Sequence, residues 1–150
     1  TYLMVTARLM GDVTAVADQH AQTMKMAENV GSLAYISTMR ALGSWLAYRE
    51  ENIERALSEA QEAVNTWELS PIPFQWLARW VLLAVALNKN RLEDAVLQAR
   101  IMTTPPQALL ADAVNAALET ALSLWDKGEI AAAREALAQA QHLAEEANYL

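Results

Sequence analysis

The sequence predicts an all-α fold, a superhelix or solenoid built from about four antiparallel helix pairs. Four segments superimpose without gaps at successive offsets of 40, 39 and 38 residues. They begin at Gly11, Glu51, Asn90 and Gly128. In each segment the third residue is β-branched or Leu, and a small apolar residue follows three positions later. Internal repetition at this period is typical of stacked helix pairs, which present surface rather than enclose a reactive centre.

Composition supports a helical protein and argues against several classes of function. Of the 150 residues, 54% are hydrophobic, and only four are Gly and four are Pro. The alternation that predicts strands is absent. A formal net charge of −7 without any basic run argues against nucleic-acid binding, which depends on clustered Lys and Arg. The chain has no Cys, so it forms no disulfide, and this fits a reducing, cytoplasmic setting.

Breaker residues divide the chain into eight predicted helices. The predicted spans are 1–10, 12–29, 33–50, 53–69, 74–88, 92–102, 107–126 and 130–148. The clearest breaks are at residues 70–73 and 103–106, because Pro biases the residue before it away from helix. We place Pro106 at the start of the seventh helix and Gly128 in a left-handed cap. In pairs, the helices give one domain with repeat units at approximately 1–30, 31–70, 71–104 and 105–150.

The most apolar run, residues 72–87, is interrupted by Arg79 and is shorter than the ~20 residues that a membrane span needs. We therefore predict a helix that is buried on most sides. Because the chain begins with Thr1, we expect a fragment of a longer protein.

Small residues recur at i, i+4 and i+7 in the second helix of each predicted pair. The three triplets are Ala56, Ala60 and Ala63, then Ala95, Ala99 and Met102, then Ala133, Leu137 and Ala140. The corresponding residues of the first unit are Val16, His20 and Thr23. The opposite face of the last helix, with Gln141 and Glu145, is predicted to be solvated.

This pattern resembles the tetratricopeptide repeat, although the units here are longer than that family's 34 residues. The ending from Leu124 onward also resembles the C-terminal helical arm of large bacterial signalling ATPases. Some of those proteins carry cyclase or DNA-binding domains. The resemblance implies that any such domain lies outside this chain.

The resemblance implies a concave ligand-binding face lined by the first helix of each pair. Ten positions carry over to it: Arg8, then Trp45, Tyr48 and Arg49, then Trp80, Leu87 and Asn88, then Leu122, Trp125 and Asp126. Trp, Tyr and Arg are typical of binding hot spots, but large aromatic residues also pack between helices. If the residues line a groove, Trp45, Tyr48, Trp80 and Trp125 are expected to stay partly exposed.

No constellation of residues predicts catalysis, a metal site or a cofactor. His20 and His142 are the only histidines and lie far apart in the sequence. The sequence contains no Gly-rich phosphate loop. Scattered Ser and Thr residues have no neighbouring His. We therefore expect no enzymatic activity from this chain.

The favoured hypothesis is a non-catalytic regulatory module of a larger cytoplasmic, bacterial signalling or transcription-regulatory protein. It would dock a peptide, a neighbouring domain or a second copy, with no nucleic acid or membrane as direct partner. The alternative is a sensor that binds a small apolar ligand in an enclosed cavity at Trp45, Trp80 and Trp125. A third hypothesis is a stacking segment that dimerises through its ends, either the apolar stretch at residues 2–5 or the last helix.

Overall fold

The computed structural model describes residues 2–150, which form eight α-helices and no strand. The helices are α1 (Tyr2–Leu9), α2 (Val13–Val30), α3 (Leu33–Arg49), α4 (Ile53–Leu69), α5 (Trp76–Asn88), α6 (Leu92–Thr103), α7 (Asp112–Asp126) and α8 (Ile130–Glu146). Extensive packing joins α3 to α4, α5 to α6 and α7 to α8. The prediction of an all-helical chain of packed helix pairs is confirmed.

Local capping marks the starts of α2 and α4 and the end of α7. The Asp12 carboxylate accepts a hydrogen bond from the Ala15 amide at 2.9 Å, and the Asn52 side chain accepts one from the Arg55 amide at 3.2 Å. Each bond satisfies an amide that has no partner inside its own helix. Gly128 follows α7 with a φ of 78°, in the left-handed region predicted for it. With the exception of the start of α7, the described boundaries lie within two residues of those predicted.

The seventh helix is the exception, because it begins at Asp112 rather than near residue 107. The amide of Ala108 donates to the Pro73 carbonyl at 2.7 Å. The Gln107 side chain accepts from the Gln75 amide and donates to the Ile72 carbonyl, each at 3.1 Å. These bonds tie the segment to the loop between α4 and α5, so it is held in place without a helix of its own.

Helix α5 lies at the centre of the molecule. It packs against α3, α4, α6 and α8, and every residue from Trp76 to Ala86 is buried. The prediction that this apolar run is a buried helix is confirmed. No helix in the described part of the chain is both long and apolar enough to cross a bilayer.

The predicted small residues lie where helices approach one another. Ala56, Ala60 and Ala63 of α4 have no exposed surface, and neither do Ala95 and Ala99 of α6. A larger side chain at such a position would push the two helix axes apart and strain the core. The small-residue triplets therefore mark the inner faces of their helices.

The fourth helix pair does not have the orientation that it would have in a regular stack of helix pairs. In such a stack the first helix of the pair, α7, would lie along α5, whereas here it is α8 that packs against α5. As a result, α8 presents side chains beside the ends of α3 and α5. This orientation determines which residues can form a shared surface.

Candidate functional site

The aromatic residues predicted to line a groove do not share one environment. Trp45 and Trp80 are 0% exposed, so the prediction that they stay partly exposed is wrong. Trp80 lies on α5, which four helices surround, and the guanidinium groups of Arg8 and Arg49 lie over the Trp45 ring. Tyr48 and Trp125 are half-buried, as the prediction required. Two tryptophans of the predicted stripe thus belong to the core.

The structure brings four of the ten predicted residues together beside α8. One cleft of about 370 Å³ is lined by Tyr48, Arg49 and Asn88, and also by Leu150. An adjoining cleft of about 360 Å³ is lined by Leu87 and Asn88. Asn88 and Glu145 belong to both clefts. We define the α8 groove as the surface formed by Tyr48, Arg49, Leu87, Asn88, Arg134, Gln141 and Glu145.

The α8 wall of this groove was not predicted. Gln141 and Glu145 were assigned to a solvated outer face; Glu145 is exposed and Gln141 half-buried, and both line the clefts beside α5. Arg134, Gln141 and Glu145 are spaced seven and four residues apart, which places them on one face of the helix. That periodicity was visible in the sequence, but the orientation of the last pair was not.

The remaining predicted residues lie apart from the α8 groove. Trp125 lines another cleft of about 560 Å³ with Leu92 and Ile130, and this cleft shares Arg134 with the α8 groove. Asp126 forms an ion pair with Arg100, with Oδ1 and Nη2 2.6 Å apart. Leu122 is half-buried on α7 and packs against the core. The predicted site is therefore divided among the core, the α8 groove and the α7 side.

Tyr48 and Glu145 are electrostatically coupled across the α8 groove. Burial raises the pKa of Tyr48, and the negative charge of Glu145 raises it further. Arg49 and Asn88 are exposed nearby. On the α8 side, the Arg134 guanidinium donates to the Asn90 side-chain oxygen at 2.5 Å. The groove therefore offers hydrogen-bond donors and acceptors beside the apolar surfaces of Tyr48 and Leu87.

We expect Glu145→Gln to lower the pKa of Tyr48, whereas Glu135→Gln, on an exposed part of the same helix, leaves it unchanged. The pKa is measured by titrating the phenolate absorbance of each variant. Subtracting the titration curve of the same variant with Tyr48→Phe leaves the contribution of Tyr48 alone. The pKa of Tyr48 is higher in the folded than in the unfolded state, so Tyr48 stabilises the protein below about pH 10. This stabilisation is lost as the pH rises through the folded-state pKa. The wild type should therefore lose stability in alkali more steeply than Tyr48→Phe. Equal titration of Tyr48 in both Gln variants would contradict this coupling.

A short hook, residues 147–150, follows α8 and folds back against the molecule. Asn148 has a φ of 57°, and the amides of Tyr149 and Leu150 both donate to the Ala144 carbonyl, at 2.8 and 3.3 Å. The Tyr149 ring meets the Trp76 ring edge-on, with centroids 4.8 Å apart. Its hydroxyl accepts from the Ala111 amide at 3.1 Å. Leu150 is completely buried, so the hook is tightly seated.

Arg8 joins the hook to α1 and α5. Its guanidinium donates to the Leu77 carbonyl at 2.7 Å and to the Tyr149 carbonyl. The Cζ atom lies 5.3 Å from the centre of the Trp45 ring and 5.1 Å from that of Trp76. Within residues 2–150 no carboxylate pairs with this cation, and burial lowers the pKa of Arg8 to about 9. Arg8 thus contacts carbonyl oxygens and aromatic rings inside the molecule, so the prediction that it lines an open face is wrong.

A second contact between the hook and the start of the chain involves Gly11. The Asn148 side-chain amide donates to the Leu9 carbonyl at 3.3 Å. A Cβ atom on Gly11 would lie 2.9 Å from Asn148 Oδ1, closer than such atoms can approach. A larger residue at this turn would therefore displace the Asn148 side chain from its position against Leu9.

Gly11→Ala should destabilise the protein more than Gly31→Ala. Both glycines have left-handed backbones, with φ of 73° and 68°, so each substitution should cost about 1–2 kcal/mol for that conformation. Nothing in the described residues lies within 4 Å of a Cβ on Gly31, whereas Ala at position 11 should displace the Asn148 side chain and its hydrogen bond to Leu9, which should cost about 0.5–1.5 kcal/mol more. Urea unfolding of the two variants measures the difference. Equal losses would show that the contact between Gly11 and Asn148 is loose.

An apolar cavity of about 280 Å³ lies between α1, α3 and the start of α5. Its walls are formed by Tyr2, Val5, Tyr35, Thr38, Ile72, Phe74 and Leu77. The predicted cavity at Trp45, Trp80 and Trp125 is not found, because the first two side chains are packed in the core. Any small apolar ligand would therefore have to bind at a different place from the one predicted.

The two histidines have separate surroundings. His20 Nε2 lies 2.8 Å from the Met39 carbonyl oxygen and packs close to Gly43. His142 is exposed, 3.5 Å from Glu146. Within the described residues, no group of three or more His, Cys, Asp or Glu side chains is placed to hold a metal ion.

Comparison with protein-family models, with curated proteins and with solved structures gave no match. The functional assignment therefore depends on the geometry of the α8 groove, the hook and the apolar cavity.

Proposed function

We propose that this domain is a non-catalytic interaction module that binds a peptide segment in the α8 groove. The supporting observation is the position of Arg49. This residue lines the groove, and its Nη1 donates to the backbone oxygen of Leu150 at 3.4 Å. One end of the groove thus already contacts the backbone of a non-helical segment. A partner peptide would extend from that end along α8.

The side chains of the groove suit a peptide ligand. Asn88, Gln141 and Arg49 can hydrogen-bond to a peptide backbone, whose donors and acceptors need partners when water is removed. Tyr48 and Leu87 offer partly buried apolar surface for its side chains. Arg134 and Glu145 carry opposite charges and would select the register of a charged peptide.

The wider proposal places this module in a larger cytoplasmic, bacterial signalling or transcription-regulatory protein. The resemblance of its repeats to the tetratricopeptide repeat favours docking of a peptide or a neighbouring domain. A second copy is another partner within this proposal, because Tyr2 and Leu3 are 83% and 76% exposed. An apolar end of this kind favours self-association.

Selection from a phage-displayed peptide library tests the groove. Peptides enriched on the wild type should bind Asn88→Ala and Glu145→Ala at least about tenfold more weakly, because both clefts contain these residues. Glu135→Ala removes the same charge from an exposed part of α8 and should bind as the wild type does. All three variants should melt near the wild-type temperature. If no peptide is enriched, or if all three variants bind equally well, the proposal is wrong.

A second candidate function is the binding of a small apolar ligand in the apolar cavity. Its volume of about 280 Å³ and its Tyr, Phe and aliphatic walls favour this alternative. The uncharged probe N-phenyl-1-naphthylamine should fluoresce more strongly on the wild type than on Ile72→Trp, which fills the cavity. Leu97→Trp, on an exposed part of α6, is the matched control. Equal fluorescence on both variants would exclude a site in this cavity.

A further inference from the structure

The hook shows in detail how one segment of chain is bound at the end of the α8 groove. Its Tyr149 backbone oxygen accepts from Arg8, and its Leu150 backbone oxygen accepts from Arg49. The Tyr149 ring packs edge-on against Trp76. Each of these contacts would be available to any segment with the same backbone path. We call Arg8, Arg49, Trp76 and Ala111 the hook seat.

The side-chain requirements of the hook seat are specific. Tyr149 places a ring against Trp76 and a hydroxyl within 3.1 Å of the Ala111 amide. Leu150 is completely buried at the next position. Phe in place of Tyr149 would lose the hydroxyl contact. A polar residue in place of Leu150 would be desolvated without a hydrogen-bond partner. The seat is therefore complementary to Tyr followed by Leu.

The hook is covalently joined to α8 but is not part of it. The helix ends at Glu146, and Asn148 turns the chain with a left-handed backbone. Segments at the ends of elements open locally without unfolding the rest of a domain. Opening of the hook would expose the hook seat and enlarge the α8 groove, because Leu150 is one of the residues that line the cleft that contains Tyr48.

We propose that the hook is an intramolecular ligand of the hook seat, and that the partner peptide carries a Tyr-Leu pair that replaces it. This inference rests on the proposed function as a peptide-binding module. The apparent affinity for the partner is then the affinity of the open state multiplied by the fraction of molecules in which the hook is open. A module with a closed hook binds weakly, and one with a released hook binds strongly.

The test uses the full chain with Tyr149→Ser and Leu150→Ser, and a fluorescent, C-terminally amidated hexapeptide of sequence EEANYL. We expect the peptide to bind this double variant at least about tenfold more tightly than the wild type. This factor corresponds to a wild type whose hook seat is open in about a tenth of molecules or fewer. The control peptide EEANSS should bind neither protein. Equal binding to both proteins, or no binding to a folded double variant, would overturn the proposal.

Hydrogen exchange of the wild type tests whether the hook opens alone, even if the double variant does not fold. The amides of Tyr149 and Leu150 should exchange at least about tenfold faster than that of Ala140, in the middle of α8, because the hook opens alone. Exchange of all three at one rate would mean that the hook opens only with global unfolding, which overturns the inference. Library-selected peptides that bind the α8 groove while EEANYL fails would leave the proposed function intact.

Discussion

Trp45→Ala and Trp80→Ala are each expected to lower the free energy of unfolding by about 3–5 kcal/mol. Both side chains are completely buried, so truncation removes a large apolar group and leaves a cavity in the core. Neither indole N–H has a hydrogen-bond partner among the described residues, so the loss comes from packing. A decrease of this size is a large part of the stability of an ordinary domain. Urea unfolding followed by circular dichroism measures it.

Trp125→Ala is the matched control for these two substitutions. Trp125 is half-buried at the edge of a cleft on the α7 side. Its truncation therefore removes less contact surface, and the variant should melt close to the wild-type temperature. If Trp45→Ala also melted near the wild-type temperature, the assignment of Trp45 to the core would be wrong.

Arg8→Ala is expected to cost about 2–5 kcal/mol, although it removes a buried charge. The substitution leaves the carbonyls of Leu77 and Tyr149 without their donor. It also removes the cation from between the rings of Trp45 and Trp76. Because Arg8 contacts α5 and the hook from α1, amide exchange of Leu150 should accelerate in the same variant.

Two further substitutions separate the roles of the Arg8 charge and of its volume. Arg8→Lys keeps the charge but lacks the planar fork that reaches two carbonyls at once. Arg8→Met keeps much of the volume and removes the cation, whose lowered pKa shows that burial disfavours the charged form. We expect both variants to be more stable than Arg8→Ala and less stable than the wild type. Full stability of Arg8→Ala would show that the two carbonyl bonds contribute nothing.

Most of the fold could be predicted from the sequence because its signals are local. Capping by Asp12 and Asn52 depends on residues within three positions, and the small residues of α4 and α6 follow the helical period. The start of α7 could not be predicted in this way. Its position depends on hydrogen bonds from Gln107 to Gln75 and Ile72, 32 and 35 residues away in the sequence.

The candidate site was predicted only in part for a similar reason. Tyr48 and Asn88 were both assigned to the predicted concave face, and they line one cleft near the ends of α3 and α5. The contribution of Glu145 depends on α8, rather than α7, packing against α5, which no local pattern encodes. The hook was hidden because the predicted last helix ran to residue 148. Burial of Trp45 similarly depends on Arg8, which comes from another helix pair.

The most direct test of the central claim locates a bound peptide on the surface. A library-selected peptide with a nitroxide spin label should broaden amide resonances of nearby residues in the ¹⁵N-labelled protein. We predict broadening at Tyr48, Asn88 and Glu145, which line the α8 groove. Broadening at Tyr35 and Phe74 instead would place the peptide in the apolar cavity and contradict the assignment.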